Sequence, residues 1–195
     1  MKLDAHRTLA LLLSPVTVGL IAVLTLSLSE GSLVILISLV FIVVVPIADV
    51  IRRYLKGEID ILVPERSMRG KFFAQASLSY LIGFILLRLA GSKMLSLLSL
   101  TYLLVSLALI VINRRITKIS VHMAGITGPA TFLVYFGNYL GYAMTLLIPL
   151  LAWSRWRSGS HTLGQVILGS LVSFLITIST CHVLHIIEDG GELLP

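Results

Sequence analysis

Two of the five histidines stand at the start of long apolar segments, each with a cation close by in the chain. The first lies in Lys118-Ile119-Ser120-Val121-His122, the second in Ser154-Arg155-Trp156-Arg157-Ser158-Gly159-Ser160-His161. The Gly/Ser loop between Arg155 and His161 is short enough to fold a guanidinium back toward the imidazole. If His161 opens a helix, the free N–H groups there favour an anion. The same field keeps more of the imidazole neutral and nucleophilic. Gln165 follows four residues later, on the helical face of His161, where its carbonyl can accept a ring N–H and fix the tautomer. A cation, an imidazole and a helix start together suit a phosphoryl group. Taken singly, each segment reads more simply as structure, with Ser120 an N-cap and Lys118 a flanking charge. Two such segments on one face favour function, because ionisable residues at a membrane boundary are costly to keep.

The elements that must position these residues are apolar helices. Of 195 residues, 57% are hydrophobic and 12% charged, too few charges to cover a soluble domain of this size. The apolar residues form blocks with almost no internal charge, several longer than the roughly 18 residues of a spanning-helix candidate. Helices satisfy their own backbone groups in lipid, and the short alternating segments of a membrane barrel are missing from the sequence. The expected fold is therefore all-α: one integral membrane domain, a polytopic transmembrane helical bundle of about seven spans. The expected helices cover 8–28, 32–51, 71–90, 94–113, 120–137, 139–153 and 161–187. The fifth and sixth share one apolar run, too long for a single untilted span, with Gly137–Asn138 as the natural break. The first block exceeds a signal-peptide core and has no small-residue cleavage site after it, so it is expected to be a retained helix.

With an odd number of spans, all 15 Lys and Arg residues except Arg88 and Lys93 fall on one side of the bundle. The positive-inside rule puts that side, with the N-terminus, His122 and His161, in the cytoplasm, and the acidic C-terminal tail outside. The net charge of +6 is thus explained by flanking cations, and no nucleic acid is expected as a partner. A single cysteine, Cys181, excludes an intramolecular disulfide and any multi-cysteine metal site.

Ser154-Arg155-x5-His161 resembles the third signature, Ser-Arg-x5-His-x3-Asp, of the type 2 phosphatidic acid phosphatase superfamily. Ser120-Val121-His122 resembles the core of its second, Pro-Ser-Gly-His, and the order of the two agrees. The first signature, Lys-x6-Arg-Pro, has only a loose counterpart in Pro64-Glu65-Arg66-Ser67-Met68-Arg69-Gly70-Lys71. The resemblance implies a membrane lipid phosphatase with a six-helix core, here plus one helix. By position, it makes His161 the nucleophile that forms a phosphohistidine and His122 the group that protonates the leaving oxygen. It makes Arg155 and Lys118 stabilisers of phosphoryl charge, with Ser120, Arg66 and Arg69 as further phosphate-binding candidates. The family needs no metal, so no cofactor is implied. Its substrate would be a lipid phosphate monoester or a prenyl diphosphate, taken from the bilayer. Gln165 stands where the family has aspartate, which deprives an imidazolium at His161 of a charged partner. Ile119 and Val121 stand where the second signature has Pro and Gly.

Other readings are weaker. Prenyl or phosphoalcohol transfer in membranes typically uses clustered aspartates on Mg²⁺, whereas Asp4, Asp49, Asp60 and Asp189 are scattered. A catalytically impaired relative, acting as a non-enzymatic scaffold or small transporter, is the alternative that the missing aspartate keeps open; self-association is compatible with either. His182, His185 and Glu188 share a helical face near the C-terminus. They read first as interfacial residues and second as metal ligands, too far from His161 to join its site.

Overall fold

A computed structural model describes residues 5–63 and 65–188. The described residues are helical with short connections: α1 (Ala5–Leu12), α2 (Pro15–Leu26), α3 (Ser32–Ser38), α4 (Val45–Leu55), α5 (Arg66–Leu89), α6 (Lys93–Arg115), α7 (Val121–Tyr135), α8 (Tyr139–Arg157) and α9 (Leu163–Glu188). Among the described residues, five stretches are long and apolar enough to cross a membrane: Ala5–Leu26, Ser32–Leu55, Arg66–Leu89, Lys93–Arg115 and Leu163–Leu184. The fifth and sixth expected spans do form separate helices. However, α7 has 15 residues, about 22 Å at 1.5 Å per residue, which is short against a hydrocarbon core of ~30 Å.

Local chemistry explains where the helices depart from expectation. The first block is broken, because Ser14 caps α2 by accepting the Thr17 N–H at 3.2 Å and Pro15 occupies the first turn. Such a Ser-Pro pair starts a helix rather than continuing one. The second block carries a π-helical turn over Leu39–Val44, in which the Val45 N–H bonds to the Val40 carbonyl, just before Pro46 removes a donor. It then runs on to Leu55. The third helix starts at Arg66 rather than at residue 71, so Arg66, Arg69 and Lys71 ride on it. The last helix starts after His161, with Thr162 at its head.

The polarity of the bundle is turned outside in. Large side chains such as Leu36, Leu78, Ile85, Leu104, Leu146 and Leu171 are exposed, while Ser38, Ser79, Ser96, Ser99, Thr101 and Ser173 are buried. Small polar residues at helix contacts and apolar ones outside are the pattern of packing in lipid. Ser99 Oγ donates to the Tyr80 carbonyl at 2.8 Å, Ser79 Oγ to that of Phe41 at 2.7 Å and Ser173 Oγ to that of Ala124 at 2.8 Å. In lipid such bonds average about 0.6 kcal/mol each.

α7 is the central pillar, buried along its length from His122 to Leu133 and packed against α2, α6, α8 and α9. Its neighbours come close because glycines face them. A Cβ on Gly169 of α9 would lie 2.6 Å from the Ser120 carbonyl oxygen, and one on Gly125 would lie 2.7 Å from Pro15. The start of α7 and the first turns of α9 are thus held at backbone contact, and both candidate segments sit at that junction.

Candidate active site

The site forms where the ends of five helices meet. Lys118 Nζ donates to the Ser160 carbonyl at 3.0 Å, joining the loop before α7 to the loop before α9. The Ser120 N–H reaches the Gln165 carbonyl at 3.4 Å. Arg69 of α5 donates from Nε to Val63 at 2.9 Å and from Nη1 to Ile119 at 3.0 Å. Val63 has φ 43°, a costly conformation for a β-branched residue, and its carbonyl is one of the two that hold this guanidinium. α1 covers the group: the His122 imidazole reaches the backbone of Ala10, and Ser154 Oγ donates to the His6 carbonyl at 3.3 Å.

Gly159, at φ 67°, lets the chain reverse after α8, a conformation glycine adopts without steric cost. The His161 N–H then bonds to the Arg155 carbonyl at 3.2 Å. His161 therefore lies in the loop ahead of α9, a correction to the expectation that it opens the helix. The field of the helix start still acts on it from one residue away.

The His161 tautomer follows from its partners. Gln165 Oε1 accepts from the Thr162 backbone N–H at 3.3 Å, and Gln165 Nε2 bonds to Thr117 Oγ1 at 3.2 Å. A backbone N–H can only donate, so the atom facing it is the amide oxygen. That same oxygen lies 3.1 Å from His161 Nδ1. Nδ1 must carry the proton, which leaves the lone pair on Nε2. Burial holds the His161 pKa far below the usual imidazole range, at about 3. The charge of Arg69 adds to this, the Gln165 bond opposes it, and Arg155 and Lys118 push the same way. Lys118 is lowered too, by burial and then by Arg69 and Arg155.

Arg69, Arg155, His122 and His161 are buried to 5%, 4%, 9% and 5% relative exposure, and both imidazoles feel the charges of Arg69 and Arg155. Among the described residues, the ion pairs join Arg7 to Asp60, Arg52 and Arg53 to Asp49, and Arg53 to Glu58. None takes up Arg69, Lys118 or Arg155. Two donors at the same place are buried without partners, Arg155 Nε and Ser120 Oγ. Ser120 does occupy the N-cap position of α7, but its side chain makes no capping bond. Buried cations normally have a counter-charge, and buried donors an acceptor. A tetrahedral oxyanion supplies both.

The structure thus brings together His122, His161, Arg155, Lys118, Ser120, Gln165 and Arg69. Arg66 is not among them. Its Nε donates to the Asn113 carbonyl at 2.6 Å, and Asn113 returns a bond to the Arg66 carbonyl. Arg66 instead lines a separate surface pocket with Lys71 and Arg114. Sequence reasoning missed Thr117, which anchors Gln165, and the α1 backbone that roofs His122; neither belongs to a recognisable motif. Pro64 and the acidic tail lie outside the described residues, as do the side chains of His185 and Glu188, so the possible ligand set with His182 is not described. Among the described residues, no three His, Cys, Asp or Glu side chains converge on a metal position. No family model, curated protein or solved structure matches the chain.

Proposed function

We propose that this chain is an integral membrane phosphatase that hydrolyses lipid phosphate monoesters or prenyl diphosphates through a phosphohistidine at His161. One observation carries the reading: three cations and two imidazoles lie together with no acid paired to them among the described residues, and Arg155 Nε and Ser120 Oγ are left without partners. A phosphate dianion completes that set.

In this reading the phosphoryl oxygens lie among Arg69, Lys118, Arg155 and Ser120. The His161 Nε2 lone pair attacks phosphorus in line with the P–O bond to the leaving group. That bond breaks, and His122 gives a proton to the departing oxygen, that of the alcohol from a monoester or of the prenyl phosphate from a diphosphate. The step requires His122 to enter it protonated, and a bound dianion favours the imidazolium over the neutral ring. His122, now neutral, takes a proton from water, which attacks the phosphohistidine and releases phosphate and His161. Catalysis is positioning plus electrostatic stabilisation, as in other phosphoryl transfers. Gln165 orients His161 without a charge, so the imidazolium-like stage is stabilised less than aspartate would allow.

The finer topology belongs to this proposal. The α7–α8 hairpin completes seven spans, and the cationic end faces the cytoplasm by the positive-inside rule. The test is phosphate release by detergent-purified protein from phosphatidate, prenyl phosphates and diphosphates, and phosphatidylglycerophosphate, with EDTA present. Release should survive EDTA and vanish in His161→Ala and His122→Ala. Release unchanged in His161→Ala refutes the mechanism, and no release from any lipid leaves the impaired relative as the better description.

A further inference from the structure

From the phosphate end of the site, an apolar cavity of about 360 Å³ runs into the bundle. Arg69 and His122 line its end at the site, and Leu11, Ile42, Val43 and Phe72 are among its walls. One face of α5 forms its long side, with Arg69, Phe72, Phe73, Ala76 and Tyr80 falling at helical spacing. A second cavity of about 90 Å³ lies alongside, reaching Leu98, Tyr102 and Leu109. Phe73, Ala76 and Tyr80 line both. Tyr80 packs on Tyr102 with ring centroids 5.2 Å apart.

We propose that this cavity seats a single hydrocarbon tail of the phosphate-bearing lipid, and that Tyr80 sets the tail length it accepts. This rests on the phosphatase reading for the headgroup and adds the tail. The eleven steps from Arg69 to Tyr80 rise about 16 Å along α5. One leaflet of a ~30 Å hydrocarbon core is about as deep. A cavity of ~150 Å³ holds one benzene ring, so the volume here accommodates on the order of a dozen carbons, one tail and not two. The cationic end at Arg69 fixes which end of the lipid lies where. A tail already in lipid gains packing rather than release from water on entering. Its signature is therefore a length optimum rather than a steady rise.

The experiment measures binding of non-hydrolysable n-alkyl phosphonates with 8 to 20 carbons, by competition in nanodiscs, alongside turnover of the matching alkyl phosphates. Affinity should peak at about a dozen carbons and fall about fivefold or more for tails that overfill the cavity. Tyr80→Ala, which removes the largest part of a side chain lining both cavities, should move the optimum to longer tails; Ala76→Leu, which narrows the channel, should move it to shorter ones. Tyr80→Phe should leave it in place. An affinity that ignores tail length, or one optimum shared by wild type, Tyr80→Ala and Ala76→Leu, overturns the proposal. Length-selective binding without phosphate release refutes the phosphatase reading while the tail channel stands. Release without length selectivity does the reverse.

Discussion

Gly169 on α9 offers the sharpest perturbation of the site that touches none of its reacting groups. A Cβ there would lie 2.6 Å from the Ser120 carbonyl oxygen and 3.3 Å from Met123 Cβ. The first distance is 0.8 Å inside the 3.4 Å at which ordinary contact begins. The obstacle is backbone, so Gly169→Ala must move the start of α7 and the first turns of α9 apart by roughly that amount. His122 and Lys118 travel with one side, His161 and Gln165 with the other. Overpacking of this kind costs about 1–3 kcal/mol of stability. A misplacement near 1 Å costs on the order of 10²-fold in rate. The assay is kcat for phosphate release beside a thermal unfolding curve, with Gly164→Ala as control. Gly164 is on the same helix with nothing within 4 Å of its Cβ position, so its variant should match wild type in both. A Gly169→Ala protein with wild-type kcat would refute the argument that backbone contact between α7 and α9 sets the site.

The two candidate arginines should separate cleanly. Arg69→Met, losing a buried donor of the phosphate site, should lower kcat/KM by about 10²–10³-fold, whereas Arg66→Met should stay within a few-fold of wild type. Ser120→Ala removes a buried hydroxyl with no partner; it should raise the unfolding free energy of the ligand-free protein by about 1 kcal/mol while lowering turnover, and lower stability would contradict the accounting. The depressed pKa of His161 gives a pH signature. Between about 6.5, the unfolded value, and the folded value near 3, the unfolded chain binds the extra proton, so stability rises with pH in that window. The contribution is complete above about pH 6.5 and is lost as pH falls. Melting curves from pH 7 to 5 should therefore fall more steeply for wild type than for His161→Ala.

How much of this was legible depended on whether a local signal or a distant contact decided the outcome. Gly137–Asn138 was readable as the α7–α8 break because its chemistry is local: Gly137 takes φ 70°, and Asn138 Oδ1 accepts the Leu140 N–H at 2.9 Å. Ser14–Pro15 carried an equally local signal, but the apolar run through it outweighed that cue in a hydropathy reading. The grouping of cations at one end follows from alternating loops and is visible in the Lys118–Ser160 and Arg69–Ile119 bonds. The choice between Arg66 and Arg69 was not legible. Three residues apart on one helix, they share a face by periodicity, and only the distant Asn113 and Ile119 carbonyls separate them. The exclusion of His161 from α9 was likewise fixed by a contact, its N–H reaching back to the Arg155 carbonyl.

The claim that His161 is the nucleophile is tested most directly by trapping the intermediate. Protein turning over a preferred lipid phosphate would be quenched in alkali, digested and read by mass spectrometry for a phosphoryl group on histidine. The account predicts phosphate on the peptide containing His161, accumulating in His122→Ala if water attack is slowed more than transfer, and none in His161→Ala. Turnover with that peptide unmodified, or with the phosphoryl group on another residue, would contradict it.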